Sequence, residues 1–289
     1  MTKKEFTELT AKGLLILDGA TGSNLTKAGM PKGVCTEEWA LEHPEAVIDL
    51  QKRYIEAGSD IVYAPTFGAN RASLKRFGLE ERLKELNHKL VQISREAAGG
   101  QALVAGDITT IGYPVTDEGD LSYENRVALY QEQITELAEA GVDLLVGETL
   151  LGSDEAMAIL DAAATVCDLP VMCTLTVESD GSCYFGGNVI DIAVSLEEMG
   201  AAAVGINCSC GPDQLESIVR NLRERVSVPV IVKPNAGLPV INKKGEAIYP
   251  MEPAVFGEHM KRLIELGAGI VGGCCGTDER FIRELKALV

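Results

Sequence analysis

The chain has few aromatic residues, a single tryptophan (Trp39) and only three histidines (His43, His88 and His259) among 289 residues. An aromatic cage for a quaternary ammonium is therefore poorly supplied. The histidines show no metal-binding spacing and HExxH is absent, which argues against a histidine-held hydrolytic metal. No apolar run is long enough to span a bilayer, and the N-terminal MTKKEF leads into a mixed polar segment without the apolar core of a signal peptide. The expected location is the cytoplasm. Positive charge is also scarce: 26 Lys and Arg against 43 Asp and Glu give a formal net charge of -17. Nucleic acid and an anionic membrane surface would repel such a chain, so neither is expected as a partner.

Cysteine is not scarce, and its placement organises the sequence. Eight cysteines in a chain of this length, without secretory features, read as reduced thiols. Cys35, Cys167 and Cys173 read as small apolar fillers, while Cys183 and Cys210 have no assigned role. Near the C-terminus, VGGCCGT sets Cys274 beside Cys275 between glycines. Successive side chains of a strand point to opposite faces, so both thiols reach one metal only where the backbone leaves the strand, which Gly272, Gly273 and Gly276 permit. Two thiolates hold a metal poorly, and a third soft ligand is expected from GINCSCGP, with Cys208 the candidate and Cys210 two residues on.

Short runs rich in Val, Ile and Leu recur without alternation, the mark of strands buried on both faces of a parallel sheet. They end at Asp18, Thr66, Asp107, Glu148, Thr176, Asn207 and Asn235, and the last runs into Cys274 and Cys275. Helical patterns lie between them: Pro44 to Ala57 closed by Gly58, Tyr123 to Ala140 closed by Gly141, and a segment from Ser153 with Asp154 and Glu155 in its first turn. Arg71 to Ala98 reads as one helix or two, and Pro239 to Tyr249, containing Asn242, Lys243, Lys244 and Gly245, as a polar loop. About eight strand-helix units predict a (β/α)₈ barrel forming a single domain over residues 1–289.

Such a barrel gathers the C-terminal strand ends at one mouth. Three sulfurs on one ion leave a fourth position open, as in a catalytic zinc site, and thiolates favour zinc. A thiol entering that position loses its proton, giving a nucleophile at neutral pH. Asp18 and Glu148 suit a substrate ammonium, and backbone N–H groups at Thr66, Phe67 and Gly68 suit a carboxylate. A non-catalytic zinc-thiolate binding protein is the competing reading, and a phosphate-handling barrel enzyme is disfavoured because cysteines stand where its glycine turn would lie.

The motifs DGATGSNL, PTFGANR, GET at Gly147 to Thr149, GINCSCGP, KPNAGLP and GGCCGT resemble the zinc-dependent homocysteine S-methyltransferase family nearly end to end, most closely the homocysteine-binding module of cobalamin-dependent methionine synthase. The resemblance implies a (β/α)₈ barrel that methylates homocysteine to methionine, with zinc on Cys208, Cys274 and Cys275. It places Asp18 and Glu148 on the homocysteine amino group, Thr66 to Gly68 on its carboxylate, Asn207 in the substrate-binding set, and Asn235 as an exchangeable zinc ligand. Two departures are Cys210, an extra thiol after Cys208, and Asp107, where that branch has a small polar residue. One barrel has no module for a folate or a corrinoid. The methyl donor implied is methylcobalamin or another methylcorrinoid on a separate protein, the alternative being a small donor such as S-methylmethionine or betaine.

Overall fold

The computed structural model describes residues 1–112, 122–242 and 247–289. Barrel strands run in the order β1 (Leu15–Ile16), β2 (Ile61–Tyr63), β3 (Leu103–Ile108), β4 (Leu144–Leu150), β5 (Val171–Leu175), β6 (Ala203–Cys208) and β7 (Val230–Pro234). A short hairpin, β8 (Val240–Ile241) with β9 (Ala247–Ile248), precedes the eighth barrel strand, β10 (Ala268–Val271). The eight barrel strands form one parallel sheet, β1-β10-β7-β6-β5-β4-β3-β2. A parallel bridge from Leu17 to Ile61 joins its two edges, so the expected (β/α)₈ barrel is what the chain forms. Among the described residues, no helix is long and apolar enough to cross a membrane.

Burial on both faces accounts for the unalternated strands. One set of side chains, including Leu15, Leu17, Ile61, Tyr63, Leu144 and Ile231, fills the barrel interior. Val62, Val104, Leu145, Val204 and Val232 face outward into the layer shared with the helices. The N-terminal segment is itself a helix, Lys3–Thr10, started by a capping box between Thr2 and Glu5, and its Phe6 packs with the barrel interior. Gly205 in β6 is required by close packing, because a Cβ there would overlap the Ile231 carbonyl oxygen of β7.

The helix Pro44–Ala57 ends on Gly58 at φ 115, a left-handed conformation that glycine adopts without strain. Arg71 to Ala98 divides into Arg71–Lys75, a single 3₁₀ turn at Glu80–Arg82, and Leu83–Ala98. The segment expected as a polar loop instead pairs Val240 with Ile248 and Ile241 with Ala247, while Lys243, Lys244 and Gly245 lie outside the described residues.

Candidate active site

The strand ends converge on a pocket of about 340 Å³ whose wall includes Cys208, Cys274, Cys275, Glu148, Asp107 and Lys233. Cys208 closes β6 with a backbone φ of 59, and Ser209 follows at 42, so the chain turns left-handed where its sulfur must leave the sheet. Side-chain-bearing residues rarely hold this conformation, and it costs roughly 1 to 3 kcal/mol where they do. On the other side, β10 stops at Val271, and the backbone of Cys274 is anchored by its N–H donating to the Pro234 carbonyl at 2.7 Å. The Cys275 carbonyl accepts the Ala236 N–H at 3.0 Å, and Gly276, at φ 85, completes the turn.

The Sγ atoms of Cys208, Cys274 and Cys275 all lie within 4.8 Å of one another, with 3.8 Å between Cys208 and Cys275. Tetrahedral zinc with Zn–S bonds of about 2.3 Å separates its sulfurs by about 3.8 Å, so these residues fit the ion. Hydrogen bonds from Cys208 and Cys274 hold Cys275 far below the usual thiol range, with the Tyr249 hydroxyl also donating to it. The bonds to Cys208 and Cys275, together with burial, push Cys274 well above it. Cys210 is not in this cluster: it is buried in the apolar layer, its thiol pushed up to about 11 chiefly by burial.

The carboxylates are arranged differently from the simple pair read in the sequence. Asp18 is 1% exposed, and its Oδ2 accepts the Tyr63 N–H at 2.8 Å. Lys233, itself buried, sets its Nζ 3.5 Å from Asp18 Oδ1 and 3.8 Å from Glu148 Oε2, and 4.9 Å from the centre of the Tyr63 ring. Burial opposes the Lys233 charge, but Glu148 and Asp18 outweigh it and raise its pKa well above the ordinary lysine value. Both carboxyls are displaced upward by burial, with Lys233 pulling the other way. Glu148 reaches the pocket wall, whereas Asp18 stands behind it. Lys233 was legible only as part of the KPN motif, because a lysine in a strand gives no signal of which carboxylates it will meet.

Asn207 also stands behind the wall and acts as a bracket. Its Oδ1 accepts the Thr149 N–H at 2.8 Å, and its Nδ2 donates to Thr149 Oγ1 at 2.8 Å and to Glu148 Oε2 at 3.4 Å. Thr149 has a φ of 58, an outlier for a β-branched residue, and this bracket holds it next to Glu148. Of the turn after β2, Phe67 lines the pocket. Thr66 is buried, its hydroxyl exchanging hydrogen bonds with the Asp107 backbone, and the Gly68 N–H donates to Glu37 Oε1 at 2.7 Å. Asn235, just past β7, is buried with no hydrogen-bond partner for its side-chain oxygen. Asp107 faces the pocket, and burial, followed by the charge of Glu148, pushes its carboxyl well above the usual range. Cys183 is buried in the apolar layer, away from the cluster.

Residues 15–289 match the family model described as homocysteine S-methyltransferase. Methionine synthases of Mycobacterium leprae and Mycobacterium tuberculosis are each 30% identical to the chain over 305 residues, which covers 98% of this chain but 25% of theirs. The chain thus spans about a quarter of the length of these curated relatives. Among solved structures, the homocysteine methyltransferase MmuM from Escherichia coli superimposes in its oxidized form with a TM-score of 0.80 at 24% identity, over 96% of both chains. Its metallated form gives 0.81 at 23% identity, over 98% of this chain and 99% of that one. At these identities the likeness is one of fold, whereas the family match runs through the whole barrel and both cysteine motifs. The chain belongs to the homocysteine S-methyltransferase family of enzymes.

Proposed function

We propose that the chain methylates homocysteine on sulfur to give methionine, using a zinc ion on Cys208, Cys274 and Cys275 and a methyl group brought by a methylcorrinoid on a separate protein. The observation that carries this reading is the three-sulfur cluster opening into the same pocket as Glu148. Zinc bound there supplies a Lewis acid that lowers the proton affinity of the substrate thiol.

The remaining work falls to the chain's own residues. Glu148, fixed by Asn207, accepts the substrate ammonium at the pocket wall, and Asp18 supports it through the shared Lys233. Of the Thr66 to Gly68 turn, the Phe67 N–H is the donor left to the substrate carboxylate, because the Thr66 N–H is held by the Ala64 carbonyl and the Gly68 N–H by Glu37, and the Phe67 ring covers the aliphatic part of the substrate. The unpartnered oxygen of Asn235 suits it to an exchangeable place beside the metal. A non-catalytic zinc store has no use for a pocket walled by an oriented carboxylate.

The donor assignment rests on the methionine synthase relatives and on the exposed apolar side chains of the loops after β5 and β7. Phe185 is 51% exposed and Ile241 66% exposed, which suits a docked protein better than a closed cage around a small cation. A methyl-transfer assay with zinc-loaded enzyme, homocysteine and a donor panel tests the proposal. Methionine formation from methylcobalamin, free or protein-bound, is the expected result. Turnover with S-methylmethionine or betaine alone moves the enzyme to the small-donor reading, and no turnover with any donor overturns methyl transfer.

A further inference from the structure

Glu37 lies in the first turn of the helix Thr36–Glu42, is 6% exposed, and lines the pocket that holds the sulfur cluster. Its Oε1 accepts the Gly68 N–H at 2.7 Å and its Oε2 accepts the Cys35 thiol at 3.2 Å. A Cβ on Gly68 would stand 2.9 Å from Oε1, so this approach depends on glycine. A carboxylate of the chain itself therefore sits on a backbone donor at the end of β2, where an amino-acid substrate would set its own carboxylate. Compensation from elsewhere is limited. Lys233 is the cation among the described pocket residues, and it is already shared by Asp18 and Glu148. Glu148 and Asp107 add acidic groups to the same wall. An incoming carboxylate must then rely on the backbone N–H groups of the Thr66 to Gly68 turn, and two of the three are already taken: that of Thr66 by the Ala64 carbonyl at 2.7 Å and that of Gly68 by Glu37.

We infer that Glu37 sets acceptor specificity by competing with the substrate carboxylate for the Gly68 amide. This rests on the homocysteine reading above. A thiol with an ammonium but no carboxylate enters without displacing Glu37, whereas homocysteine must displace it and bring a second negative charge beside it. Glu37 is thus a specificity-determining residue that penalises the carboxylate and leaves the ammonium end of the acceptor unaffected.

The test is calorimetric binding of homocysteine and of 3-aminopropane-1-thiol to the zinc-loaded wild type, Glu37→Ala and Glu37→Gln. The second ligand is homocysteine without its carboxyl group, so the ratio of the two affinities isolates the carboxylate and cancels general damage to the pocket. Glu37→Ala is expected to shift that ratio toward homocysteine by about tenfold. Glu37→Gln, which keeps an acceptor for Gly68 but removes the charge, is expected to shift it the same way by less. An unchanged ratio in the glutamine variant, or a shift toward the aminothiol in either variant, overturns the inference while leaving the homocysteine reading standing. If the wild type binds neither thiol, the homocysteine reading fails and the inference falls with it.

Discussion

Cys208 and Cys210 differ by two positions and would point alike in a continued strand, yet only Cys208 joins the sulfur cluster. The left-handed backbone at Cys208 and Ser209 separates them, turning one sulfur to the mouth and leaving the other in the apolar layer. Replacing Cys208, Cys274 or Cys275 by alanine is expected to remove zinc and activity together, since two thiolates bind far more weakly than three. Cys210→Ala should retain a full equivalent, and metal analysis of the purified variants decides both points. Asp107 supports a prediction about pH. Its folded pKa is raised above the unfolded value of about 3.9, so the folded chain binds the proton more tightly and stability falls as pH rises between the two values. Asp107→Asn keeps the backbone bonds to Thr66 and removes that loss. Its melting temperature should exceed that of the wild type by a margin that widens from acidic to neutral pH; a constant margin would show that Asp107 does not titrate in this way.

At the scale of elements, the helices Tyr123–Glu139 and Ser153–Val166 are joined by an ion pair removed from water. Arg126 Nη1 lies 2.6 Å from Glu155 Oε1, and both side chains are fully buried. The same carboxylate accepts Thr110 Oγ1 at 2.6 Å and the Ile111 N–H at 3.1 Å, and Arg126 donates to the Gly112 carbonyl at 2.7 Å. The pair thus ties the start of the loop after β3 to the two helices behind the site. Removing one partner leaves a buried charge, at a cost of about 3 to 5 kcal/mol. Arg126→Met should show that loss in urea denaturation, and the double variant with Glu155→Leu should recover part of it. Gly205 lets β6 lie against β7 where a Cβ would meet the Ile231 carbonyl oxygen, three residues before the chain turns left-handed at Cys208 and Ser209.

At the scale of the whole molecule, the sulfur cluster, the carboxylates and the exposed loops around them lie on one face because all eight barrel strands run in the same direction. The methylcorrinoid protein proposed above as the donor would approach this face. Ile241 and Ile248 stand on the β8–β9 hairpin with 66% and 49% exposure, although the pattern of turn-forming and charged residues around them reads as a polar loop. Ile241→Glu is expected to slow demethylation of a protein-bound methylcobalamin severalfold and to leave the rate with free methylcobalamin unchanged, both followed by the cobalt absorption spectrum. Equal slowing with both donors would exclude the hairpin from partner binding.

The barrel and the positions of its strand ends were legible from residue order, because strands buried on both faces must be apolar throughout and because glycine closes helices such as Pro44–Ala57. The paired cysteines near the C-terminus and the cysteine motif after β6 were legible for a similar reason: thiols between glycines at the ends of apolar runs have few structural uses. What only the tertiary structure decided are relations between distant segments. Lys233 meets Asp18 and Glu148 across the barrel, and Glu37 reaches Gly68 from the first turn of the helix Thr36–Glu42. Phe6 joins the barrel interior from a segment that reads as polar. Each depends on where a side chain ends after several strands have closed into a cylinder, and local pattern carries no information about that. Sequence periodicity reports which face of an element is dry; the close contacts that set charge and specificity appear only when the elements pack.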